Sequence, residues 1–234
     1  MSKRQQIREQ NRKSQQRQQT LIILILSGMA LIIAGIFVIP RFLNPTDSGS
    51  VEIVHPSGPV PTQSQGLFMG DPNAPVKVVE YSDYLCSHCA DFAQDLQPSI
   101  IEEYVNTGLV YFEYIPFSFM GPESFTAAEA AYCAADQNKF WEYHEYLFSN
   151  VTETPSAYSN ALLQRYAEEL NLDMDIFNEC FNSGKYSQQL QDNLERGHAQ
   201  GVAGTPTFFV NDRQAGMINL IQTIDDALVN APVQ

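Results

Sequence analysis

Two cysteines, Cys86 and Cys89, enclose Ser87 and His88 one helical turn apart. The apolar run Val76 to Tyr81 precedes them, and a helix-patterned stretch from Ala90 to about Asn106 follows. At such a strand-to-helix junction the two sulfurs can close a disulfide. The first thiol then meets the unpaired N–H groups of a helix N-terminus, which favour a thiolate over a thiol. That chemistry is thiol–disulfide exchange. Half of a zinc site is the rival reading, but it needs a second ligand pair of similar spacing. Cys133 and Cys180 do not supply one. Haem attachment needs a histidine directly after the second cysteine, and Ala90 stands there.

Other residues divide between chemistry and packing. Cys133 and Cys180 fall on two helix-patterned segments. As a structural disulfide they would close a loop of about 47 residues, worth roughly 4 kcal/mol in the chain-entropy model. As free thiols they would serve as small apolar residues. Glu80 lies in an otherwise apolar strand, so burial and a raised pKa are expected; a solvated strand-end charge is the alternative. Asp83 reads as a local hydrogen-bonding residue. His88 is expected to act through its place between the cysteines, whereas His144 and His198 read as structural or exposed. Trp141, Tyr143, Tyr146 and Phe148 read as helical core.

The elements that must position these residues follow from periodicity. Strands are expected at Val76–Tyr81, Leu109–Phe117 and Thr207–Val210. Short ones are expected at Gly66–Met69 and Gly216–Ile218, the latter after a turn at Asn211-Asp212-Arg213. Phe92, Leu96 and Ile100 give the segment after Cys89 an apolar helical face, which Pro98 should kink. Helices are expected at Ala127–Ala135, Phe140–Phe148, Ala157–Leu170, Met174–Phe181, Tyr186–His198 and Ile221–Val229. The order is β–α–β, a helical block over about 121–200, then β–β–α. This is an α/β, thioredoxin-like sheet with a helical insertion.

Charge and hydropathy organise the rest. The chain has 234 residues and a formal net charge of -14. Its first 20 residues carry Lys3, Arg4, Arg8, Arg12, Lys13 and Arg17 against one acid, Glu9, so everything after them sums to about -19. So acidic a main part argues against nucleic-acid binding. Leu21 to Ile39 contains no charged residue and ends at Pro40. As a helix it would measure about 28 Å, close to a bilayer's hydrocarbon core. A cleaved signal peptide is the rival, but the run is long for one and Ile36-Phe37-Val38-Ile39 is a poor cleavage site. The expected plan is a cytoplasmic basic tail over 1–20, a single transmembrane anchor over 21–40 and a Pro/Ser/Gly-rich linker over 41–66. An extracytoplasmic domain over 67–234 completes it. The basic flank before the span places the N-terminus in the cytoplasm. Four cysteines are permitted to pair outside the cell membrane.

Three segments carry a family resemblance. Glu80-Tyr81-Ser82-Asp83-Tyr84-Leu85-Cys86-Ser87-His88-Cys89 resembles the active-site segment of the DsbA-like thiol:disulfide oxidoreductases. Gly201-Val202-Ala203-Gly204-Thr205-Pro206-Thr207-Phe208-Phe209-Val210 resembles their cis-proline loop and following strand. Phe140 to Phe148 resembles part of their helical insertion. The resemblance implies that Cys86 is the exposed nucleophile and Cys89 the resolving thiol. It implies that Pro206 is cis and lies against the disulfide, that Thr205 pairs through its backbone with substrate, and that Glu80 relays a proton for Cys89. Ser87, beside the nucleophile on the substrate side, stands where the best-known motif has proline; His88 matches that motif's histidine. The expected activity is a membrane-anchored protein-disulfide oxidase acting on exported proteins with free thiols. It needs no metal and no cofactor beyond the Cys86–Cys89 pair, and a membrane partner of DsbB or VKOR type reoxidises it. A reductase or isomerase of the same fold is one rival; a metal-binding module using Cys86, His88 and Cys89 is another. No added association domain is visible, so a monomer is expected, of bacterial origin.

Overall fold

The computed structural model describes Leu26, Gly28, Met29 and residues 53–151 and 158–231. The anchor expected over 21–40 lies outside these residues except for the three named, which are helical. Among the described residues no helix is long and apolar enough to cross a membrane.

Six strands form one sheet in the order β1-β2-β4-β3-β5-β6. They are β1 (Ser64–Gln65), β2 (Phe68–Met69), β3 (Val76–Ser82), β4 (Val110–Pro116), β5 (Thr207–Val210) and β6 (Arg213–Ala215). β3 and β4 are parallel, with Glu80 opposite Tyr114, and β5 pairs antiparallel to β3, with Glu80 opposite Phe208. A parallel pair needs a long crossover, and here it is helical from Ser87 to Val105. α1 (Ser87–Asp91) passes into a π turn over Phe92–Leu96, then α2 (Gln97–Ile100), then a second π turn over Ile101–Val105. The expected kink at Pro98 takes this form. Gln97 N–H reaches back five residues to the Phe92 carbonyl, so the widened turn stands just before the residue that lacks an N–H.

The helical block comprises α3 (Pro122–Ala135), α4 (Phe140–Ser149), α5 (Asn160–Glu169), α6 (Met174–Ser183) and α7 (Ser187–Ala199); α8 (Leu220–Val229) closes the chain. α3 starts earlier than apolar spacing indicates, because Pro122 sits in its first turn, where a missing N–H costs nothing. α5 starts at Asn160, where the Ser159 side chain caps Leu162 N–H.

Strand alternation divides the packing. Val76, Val78 and Glu80 face the larger core, built with Phe92, Phe112, Tyr114 and the block's aromatics. Tyr81 faces a smaller core with Ile115, Phe117 and Val202, beneath Leu194 of α7. On that second side Glu113 takes Lys77 at 2.8 Å and Arg196 at 3.1 Å.

Two expectations need correction. The strand expected at 216–218 is instead β6 at Arg213–Ala215, followed by a 3-10 turn at Met217–Asn219. Asn211 and Asp212 both have positive φ, 46° and 69°, so two residues make the hairpin and pairing resumes at Arg213. The linker expected over 41–66 is folded from Ile53 onward. Ile53 is buried, Val54 exchanges two hydrogen bonds with Asn150 (2.7 and 2.8 Å), and Thr62 bonds Asn106. Prolines and serines there mark an irregular strap, not a free spacer.

Candidate active site

Cys86 stands at the N-cap of α1 with extended backbone angles, and its carbonyl accepts from the N–H of Cys89 and of Ala90, each at 3.1 Å. Both Cys86 and Cys89 are free thiols. The turn before them is held from below. Asp83 carbonyl accepts Cys86 N–H at 3.0 Å, and Tyr84 carbonyl accepts the Tyr158 hydroxyl at 2.9 Å. Tyr84 Oη lies 3.2 Å from Nδ1 of His144.

The loop ahead of β5 arrives on the other side. The Thr205–Pro206 peptide is cis, and Cys86 Sγ lies 3.4 Å from the Thr205 carbonyl oxygen. Cys86, Cys89, Thr205 and Pro206 therefore meet in one place. Ser87 and His88 are exposed at its rim.

The two thiols are electrostatically unlike. The Cys86 thiol is lowered to about 5, first by a hydrogen bond from Cys89, against the cost of burial. The Thr205 side chain and the backbone N–H groups of Cys89 and His88 add to the lowering. Cys89 goes strongly the other way, through burial first, then its hydrogen bond to Cys86 and that sulfur's charge. The Cys86 sulfur is thus ionised near neutrality, and the Cys89 sulfur holds its proton.

His88 lies between the two cysteines at the exposed rim. Its imidazole turns to Asp91, with Nδ1 3.3 Å from Oδ2, and both side chains are largely exposed. What reaches the Cys86 sulfur from His88 is the main-chain N–H.

Glu80 is fully buried on the Cys89 side, and burial raises it to about 8; the Ser82 hydroxyl opposes the shift and the Cys86 charge adds to it. Glu80 in turn adds to the raised pKa of Cys89 and of Tyr114. At neutral pH the carboxyl therefore keeps its proton on the Cys89 side of the pair. His144 is wrapped by Tyr114, Phe148 and Trp141, and burial pushes it down to about 3, so it is a neutral core residue.

Cys133 on α3 and Cys180 on α6 form a disulfide with Cα atoms 5.8 Å apart. It staples the helical block and takes no place beside Cys86. Sequence reasoning missed the weight of Asp83, whose carboxylate collects four hydrogen bonds. No local pattern shows them, because three of the four donors come from Phe119, Met120 and Ser124.

Residues 62–228 match the family model described as Thioredoxin. The chain is 31% identical over 191 residues to the Na(+)/H(+) antiporter NhaA 3 of Salinispora tropica, a match covering 82% of this chain and 28% of that protein. It is 28% identical over 174 residues to disulfide bond formation protein D of Bacillus subtilis, covering 73% of this chain and 77% of that one. The crystal structure of oxidised BdbD from Bacillus subtilis superposes with a TM-score of 0.64 at 25% identity, over 74% of this chain and 98% of that one. Wolbachia pipientis alpha-DsbA1 superposes with a TM-score of 0.63 at 25% identity, over 74% and 94%.

Proposed function

Since this chain belongs to the thioredoxin family, in its DsbA-like branch, we propose that it is a protein-disulfide oxidoreductase that runs as a dithiol oxidase on exported proteins. The observation that carries the reading is the asymmetry of its two thiols beside Thr205 and Pro206. Oxidised enzyme presents the Cys86–Cys89 disulfide. A substrate thiolate attacks Cys86 Sγ, forming a mixed disulfide and expelling the Cys89 sulfur, which takes a proton. Glu80, protonated up to about pH 8, is the group able to give it. The second substrate thiolate then attacks the substrate sulfur of the mixed disulfide. Cys86 leaves as a thiolate, and its low pKa makes it a good leaving group. Two electrons pass from the substrate dithiol to the cysteine pair. Thr205 offers main-chain pairing to an extended substrate segment, with Ser87 and His88 at the rim.

A stable Cys86 thiolate lowers the energy of the reduced form and so makes the disulfide oxidising. A membrane partner of DsbB or VKOR type, coupled to quinone, would take the electrons onward. The apolar stretch Leu21–Ile39 with its basic flank supports a single-pass anchor and an extracytoplasmic catalytic domain. With the strap packed from Ile53, residues 40–52 allow a reach of at most roughly 45 Å. The antiporters of which this chain matches 28% lend no transport activity to the proposal, because the chemistry presented here is a thiol pair.

The test is the equilibrium reduction potential of the full chain against glutathione, read by mass-resolved alkylation. A value toward about -120 mV supports the oxidase; a value near about -270 mV sinks it in favour of a reductase.

A further inference from the structure

Asp83 is a fully buried carboxylate whose partners are all neutral. Oδ1 accepts Leu85 N–H at 2.8 Å and the Ser124 hydroxyl at 2.6 Å; Oδ2 accepts Phe119 N–H at 2.9 Å and Met120 N–H at 3.0 Å. The donors belong to three segments: the turn carrying Cys86, the loop after β4, and the first turn of α3. The Asp83 main-chain carbonyl adds a fifth tie, to Cys86 N–H. Burying a lone carboxylate costs several kcal/mol. Four donors fill its acceptor sites and offset that cost. A neutral residue cannot imitate the arrangement. An asparagine there would turn its NH2 either toward Phe119 and Met120 N–H or toward Leu85 N–H, donor against donor. The loop so fastened holds Phe119 and Met120 with half-exposed side chains.

We propose that Asp83 is a positioning residue for thiol exchange, locking the Cys86 turn to the loop at 117–121 and to the start of α3. The Cys86 sulfur is thereby held in place against Thr205 and the N–H groups of α1. The lock acts through geometry: Asp83 touches neither sulfur. It rests on the exchange reading above and names a residue outside the cysteine pair and the proline loop on which exchange depends.

The experiment compares the full chain with its Asp83→Asn and Ser124→Ala variants. Cys86 alkylation by iodoacetamide is followed across pH 4–10, with thermal melts recorded alongside. In Asp83→Asn the midpoint of the Cys86 profile rises by about one unit. Alkylation at pH 5 then falls about fivefold, while the rate above pH 9 stays within about twofold. Ser124→Ala removes one donor, and alkylation at pH 5 falls about two- to threefold. A folded Asp83→Asn protein with an unchanged profile, or with equal slowing at every pH, overturns the proposal. If Asp83→Asn does not fold, Ser124→Ala decides on the same criterion. Failure of the parent chain to oxidise a dithiol substrate would sink the exchange reading alone, because alkylation still reports the geometry at Cys86.

Discussion

Cys86 Sγ lies 3.4 Å from the carbonyl oxygen of Thr205, a residue 119 positions further along the chain. The whole helical block is inserted between them. The contact brings the Cys86 sulfur against the main chain of the loop ahead of β5.

The first prediction concerns the thiol pair. Hydrogen bonding from Cys89 is the largest cause of the low Cys86 pKa. Cys89→Ala removes that donor, and a hydrogen bond to a charged group is worth about 1.5–3 kcal/mol. The Cys86 profile should therefore rise by about one to two units. Absorbance of the thiolate at 240 nm against pH measures it. The same variant should accumulate mixed disulfides with substrate on Cys86.

pH dependence of the redox forms follows from the same shift. The Cys86 pKa is depressed in the folded reduced protein, from 9.0 to about 5. Its contribution to the stability of the reduced form is fully present above pH 9 and is lost as pH falls to 5. The disulfide form has no such group. Denaturant titrations of both forms should show the reduced form's advantage growing from pH 5 to pH 9. Equal slopes for the two would contradict the assignment.

Glu80 acts in the opposite sense. Its pKa is raised from 4.5 to about 8, so the folded protein holds a proton that the unfolded chain releases. Its contribution is fully present below pH 4.5 and is lost as pH rises through 8, by up to about 5 kcal/mol. Glu80→Gln should flatten this slope and leave the protein more stable than its parent at pH 9. Urea midpoints at pH 5 and pH 9, for both proteins, provide the comparison.

Replacing Cys133 and Cys180 together by alanine opens a loop of 47 residues. The chain-entropy relation gives a loss of about 4 kcal/mol. Urea unfolding should show it, while Cys86 alkylation in the folded variant stays at the parent rate, since the staple lies in the helical block.

Gly197 brings α7 onto the second face of the sheet. A methyl group there would meet Phe117 Cδ2 at 2.7 Å and Tyr81 Cδ1 at 3.3 Å, both on buried rings with little room to move. Gly197→Ala should cost about 1–3 kcal/mol by overpacking, despite alanine's better helix propensity. A thermal melt at or above that of the parent would refute the close approach.

Much of this was legible in the linear chain because the relevant forces act over a few residues. Apolar residues repeating every second or every third and fourth position mark β3, β4, β5 and the helices. The spacing of Cys86 and Cys89 at a strand end places one thiol at a helix N-terminus. Glu80 in an apolar strand already indicates a buried acid. What the chain alone left open depends on distant partners. The packing of the strap from Ile53 is chosen by contacts with residues far along the chain, not by local preference. The bonds that Phe119, Met120 and Ser124 give Asp83, and the approach of Thr205 to Cys86, exist only when the two cores close around the sheet. Excluding water there makes each unpaired polar group costly, and the one arrangement that satisfies them becomes the fold.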